Sequence, residues 1–104
     1  MELLEVQARV RQSKYVESRH ARNERSNDNL TLQQVEDAIL SGQILEQYPD
    51  TGRGESCLVV GFSNKIPIHV VCGWSGPEKA EVVLITVYRP GPPKFVDPWT
   101  RKKK

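Results

Sequence analysis

In the second half of the chain, apolar residues gather into four short runs, Gln43–Tyr48 and residues 55–62, 66–73 and 81–88. Runs of this length, rich in Val and Ile, predict strands, and the separators Pro49-Asp-Thr-Gly-Arg-Gly, Ser63-Asn-Lys and Ser75-Gly-Pro-Glu are turn chemistry. The first half reads at helical spacing instead. Leu3, Leu4, Val6 and Val10 with polar residues between them predict a short amphipathic helix over residues 1–12. In residues 31–42, Thr31 and Gln34 fit a capping box, and Leu32, Val35, Ala38 and Ile39 form one apolar stripe. Gly42 is the expected left-handed stop. Residues 14–18 read as a linker. Residues 19–25 have Ala21 as their only apolar side chain, and any helix there ends at Asn27-Asp28-Asn29, whose side chains compete for nearby backbone groups. Helices followed by strands with short connections predict an α+β domain, with N-terminal helices packed on one face of a four-stranded antiparallel sheet. The chain is read as a single domain over residues 1–104, with an N-terminal helix in 1–14, core helix and sheet in 15–88, and an extended, proline-rich basic tail in 89–104. That tail is either an arm anchored by Phe95 and Trp99 or a segment without contacts.

At 104 residues the chain is long enough for one core without a structural metal. The longest apolar run is interrupted by Pro67 and His69, which excludes a membrane span. The N-terminus turns from acidic to basic and lacks a continuous apolar segment, so the expected location is cytoplasmic. Cys57 and Cys72 form no C-x-x-C pair and are expected as reduced thiols. Net charge is only +2, but both ends are basic, the last four residues being Arg101-Lys102-Lys103-Lys104. Such ends suit a polyanion partner, or they are merely solvated.

The stretch 53–74 concentrates the candidate chemistry. An even loop between its two strands places Cys57 opposite Cys72 on one face, and an odd loop sends them to opposite faces. Four soft ligands do not converge, so neither a metal nor a cofactor is expected. Ile68, Val70 and Cys72 are expected to face the helices, which puts His69 on the other face. Pairing of residue 73 with 82 sets His69 across from Thr86 and diagonal to Tyr88. A His, a Tyr and an Arg on an open face form an acid/base site, because imidazole exchanges protons near neutral pH, a phenol donates and a guanidinium binds phosphate. The other reading is a structural His–Tyr hydrogen bond. Arg53, Arg89 and Arg101 are the phosphate candidates. His20, beside Arg22, reads either as a second proton-transfer group or as an exposed helix-start residue. No nucleophile elbow or phosphate loop is present.

The segments "SRHARNERSNDNLTLQQVEDAILSGQILEQYPDTGRGESCLVVGF", "PIHVVCGW" and "ITVYRPGPPKF" together resemble the bacterial domain-of-unknown-function 4258 family. This family in turn resembles RelE-like toxins of toxin–antitoxin pairs. The resemblance implies a compact sheet with helices on one side and metal-independent RNA cleavage through His, Tyr, Arg and Lys side chains, with His20, His69 and Tyr88 as catalytic positions. It also implies an antitoxin partner and RNA or the ribosome as target. Relatives follow the His-Ala with a methionine and then an arginine, where this chain has Arg25 and Asp28. Arg25, Arg53 and Arg101 are therefore the expected phosphate contacts. The alternative is a non-catalytic module binding a protein or nucleic acid, and an exposed strand edge would permit a homodimer.

Overall fold

A computed structural model describes residues 1–50, 52, 54–91 and 95–101. Its elements are α1 (Leu3–Arg11), β1 (Tyr15–Glu17), α2 (Arg19–Asn27), α3 (Leu32–Ser41), β2 (Gln43–Tyr48), β3 (Ser56–Ser63), β4 (Ile66–Trp74), β5 (Val82–Tyr88), β6 (Phe95–Asp97) and β7 (Thr100–Arg101). The architecture is α+β. The sheet has five strands in the order β1-β5-β4-β3-β2, while β6 and β7 pair separately. Among the described residues, no helix is long and apolar enough to cross a membrane.

The capping box forms as the sequence demands: Thr31 Oγ1 accepts from the Gln34 backbone N–H, and the Gln34 side chain accepts from the Thr31 N–H. Of the stripe it introduces, Val35, Ala38 and Ile39 are buried and join Val59, Ile68 and Val70 in the core, while Leu32 at its start stays exposed. Gly42 differs from expectation. It is extended (φ −90°, ψ −176°), so left-handed freedom is not its role. A Cβ there would lie 2.6 Å from Ala38 O and 2.7 Å from Val60 O, and at Gly61 only 1.7 Å from Ala38 O. The two glycines let α3 approach β3 backbone to backbone.

Two further expectations are corrected. Residues 15–17 are a strand, not a linker: β1 runs parallel to β5, pairing Tyr15 with Val82 and Glu17 with Leu84, so the sheet is mixed and five-stranded rather than four-stranded and antiparallel. Three residues are too few to show alternation, and their partner lies far along the chain. The β4–β5 register also differs: Gly73 lies opposite Val83, one residue beyond the expected partner, and a bulge at Ile85 adds a second residue, so His69 lies opposite Tyr88. The β3–β4 hairpin closes through a two-residue turn, Asn64 (φ 48°) and Lys65 (φ 69°), as in a type I′ turn. This even loop puts Cys57 opposite Cys72 on the helix side, where both are buried free thiols.

Beyond the short β1, the edge of β5 is closed by α2. Ser18 caps the helix and its Oγ donates to Ile85 O (3.0 Å), Glu24 Oε1 accepts from Val87 N–H (3.1 Å), and Asp28 Oδ2 accepts from Arg89 N–H (2.8 Å). Carboxylates one helical turn apart thus meet the N–H groups of alternate strand residues, which satisfies an edge that would otherwise invite another strand.

Candidate functional site

The alternation of β3, β4 and β5 divides their side chains between two faces. Cys57, Val59, Ile68, Val70 and Val87 point to the helices, and Leu58, Val60, His69, Val71, Thr86 and Tyr88 point to the other side. His69 stands between Val60 and Tyr88 in the pairing. Its Nδ1 meets the Tyr88 hydroxyl at 3.2 Å, with ring centroids 5.2 Å apart, and its Nε2 meets Pro98 O at 2.6 Å. A carbonyl oxygen only accepts, so Nε2 carries a proton; in the neutral ring, Nδ1 then accepts from Tyr88. The ring is 0% exposed, because the turn that follows β6 lies over it. The expected His69–Tyr88 pair is therefore assembled, directly rather than diagonally, but on a covered face rather than an open one.

His20 occupies the first turn of α2. It is exposed, and its Nε2 lies 3.2 Å from Glu24 Oε1, the same oxygen that accepts the Val87 N–H. The two histidines thus flank β5, His20 at its edge and His69 beside Tyr88 on its outer face.

Arg25 is placed differently from expectation. Its Nε and Nη2 donate to the two carboxylate oxygens of Glu17 at 2.6 and 3.0 Å, and Nη1 donates to Leu30 O at 3.0 Å. The fork is filled by partners that join α2 to β1 and to the turn before α3, leaving no open guanidinium for phosphate. The hydrogen bond from Arg25 holds the Glu17 carboxyl below its ordinary range, against the opposing effect of burial, and Glu17 in turn raises Arg25. Arg53 and the side chain of Arg101 lie outside the described residues, as does the side chain of the expected anchor Phe95. Trp99, the other expected anchor, packs against Phe62 with centroids 5.5 Å apart.

The remaining chemistry-bearing residues stand apart from this region. Burial pushes the Cys57 thiol up to about 11 and Cys72 well above its ordinary value, so both are inert as nucleophiles. Tyr15 donates to Glu36, and burial followed by that carboxylate raises its phenol to about 12. Among the described residues, no three His, Cys, Asp or Glu side chains gather as a metal site. A cleft of about 440 Å³ lined by Asp50, Glu55, Trp74 and Lys79 contains none of the described candidate residues.

Sequence reasoning missed Glu24 and Pro98. The four-residue spacing of His20 and Glu24 on a helix was a usable signal for the first. Nothing local signals that a backbone carbonyl from the tail reaches His69.

The fold defines a small α+β domain with three helices against one face of a mixed sheet and a His–Tyr pair on the other. The family described as Domain of unknown function (DUF4258) matches residues 18–89, more than half of the chain, and the chain belongs to it. No curated protein and no solved structure matches.

Proposed function

We propose that this protein is a RelE-like, toxin-type endoribonuclease that cleaves RNA without a metal and is restrained by an antitoxin partner in a bacterial cytoplasm. The observation that supports this reading is the His69–Tyr88 hydrogen bond on the sheet face opposite the helices. In the reaction, the 2′-oxygen attacks phosphorus as a base removes its proton, the bond to the 5′-oxygen breaks, and an acid protonates that oxygen. The products are a 2′,3′-cyclic phosphate and a 5′-hydroxyl. His69 or His20 exchanges these protons, Tyr88 donates or orients, and Arg53 and Arg101 contact the phosphate. Arg25, held by Glu17, has no part in it. The contact between Pro98 and His69 must open for His69 to take part.

A second reading is a non-catalytic binding module. It is favoured by the complete burial of His69 and the engagement of both its ring nitrogens, which is what a structural histidine requires. The deciding experiment incubates the purified full chain with naked RNA in EDTA and, separately, with a translating extract. Cleavage that survives EDTA and falls in His69→Ala, Tyr88→Phe or His20→Ala supports the nuclease. Intact RNA under both conditions, from protein shown to be folded, overturns it in favour of the module.

A further inference from the structure

We propose that Trp99 is a base-stacking residue for single-stranded RNA, carried on a turn that His69 holds in place. This inference rests on the RNA-directed reading above and adds a binding residue to it. Among the described residues, the large apolar side chains left exposed are Leu4, Val16, Leu32, Ile85 and Trp99, of which Trp99 alone is aromatic, and it is 45% exposed.

Its backbone is nonetheless fixed. Asp97 Oδ1 accepts from the Trp99 N–H at 2.9 Å, Pro98 between them has a restricted φ, and Pro98 O accepts from His69 Nε2 at 2.6 Å. The indole leans on Phe62 at an interplanar angle of 43°, a tilted contact compatible with its large remaining exposure. An apolar ring presented to water on an ordered turn loses little further freedom when a flat partner lands on it.

Charge identifies the partner. The residues after Trp99 run Thr100-Arg101-Lys102-Lys103-Lys104, placing four cations next to the ring in sequence. An aromatic platform beside a basic stretch is the combination that binds single strands, the cations tracking phosphates and the ring taking a base whatever its identity. Stacking of this kind also brings the strand to the turn whose Pro98 carbonyl, one residue before Trp99, accepts from His69.

The test uses the full chain and a single-stranded oligouridylate with 2′-O-methyl riboses, which binds without being cleaved. The protein has two tryptophans, so 5-fluorotryptophan labelling gives two fluorine resonances, with Trp99 identified by its absence in Trp99→Phe. Saturation is expected to shift the Trp99 resonance and leave Trp74 in place. Trp99→Ala is expected to weaken binding by about 10- to 100-fold and Trp99→Phe by less, because phenylalanine keeps a π-face. The dependence on salt is expected to stay the same, since no cation is removed. An unmoved Trp99 resonance on wild-type protein at saturation, wild-type affinity in Trp99→Ala, or no binding of the oligonucleotide overturns the inference. Cleavage of unmodified RNA is scored separately. Trp99-dependent binding without cleavage leaves this inference standing and removes the nuclease, and cleavage indifferent to Trp99 does the reverse.

Discussion

Replacing Gly61 by alanine would test whether the close approach of α3 to the sheet holds this fold together. The new Cβ would stand 1.7 Å from Ala38 O and 2.5 Å from Ala38 C, both backbone atoms that no rotamer change can remove. Carbon and oxygen meet comfortably at about 3.3 Å, so α3 would have to retreat by about 1.6 Å. A gap of about 1 Å already forfeits up to half of a van der Waals contact. The retreat would therefore loosen Val35, Ala38 and Ile39 together, all of them at 0% exposure. Ordinary overpacking costs about 1–3 kcal/mol, and a clash with main chain on both sides belongs at the top of that range or above it. The expected loss is about 3 kcal/mol, a large share of the roughly 5–15 kcal/mol that stabilises a typical domain. Urea unfolding followed by circular dichroism should show the midpoint falling with little change in slope. Gly42→Ala, whose Cβ would sit at 2.6 Å from the same Ala38 oxygen, should cost less. Gly61→Ala within about 0.5 kcal/mol of wild type, the range of ordinary surface substitutions, would refute the packing argument.

Arg25→Gln should destabilise the protein by about 2 kcal/mol at neutral pH, because Glu17, only 8% exposed, loses the nearer of its two charged partners and keeps only the exposed Arg22 at 3.6 Å. Since the folded carboxyl of Glu17 lies below its unfolded value, its contribution is present above the unfolded value and disappears as pH falls through the folded one. Wild type should accordingly lose more stability than Arg25→Gln on going from pH 6 to pH 3, and equal slopes would argue against the clamp. Cys57 and Cys72 should resist alkylation at pH 8 in the native protein and react promptly in guanidinium; rapid native labelling would contradict their burial.

The elements whose physics is local were legible in the sequence. Thr31 and Gln34 announced the start of α3 because a capping box needs only residues three apart, and the stripe behind it announced the buried face. β2 was legible over its full length, and the turn residues on either side of β3 and β4 bounded those strands to within about one residue. Strand parity alone separated His69 from Ile68, Val70 and Cys72, and the two-residue turn at Asn64-Lys65 then decided between the two pairings that parity had left open for the cysteines.

Tertiary structure decided what depends on partners distant in sequence. Tyr15–Glu17 becomes a strand only because β5 arrives beside it, and the bulge at Ile85 moves Tyr88 directly opposite His69. Arg25 is drawn from the expected phosphate site by a glutamate on a neighbouring element, and a proline carbonyl close to the C-terminus covers a ring that its own strand left facing outward. Periodicity and turn chemistry fix which way a side chain points, because both are set by the few bonds around it. What the side chain then meets is set by the packing of the whole chain.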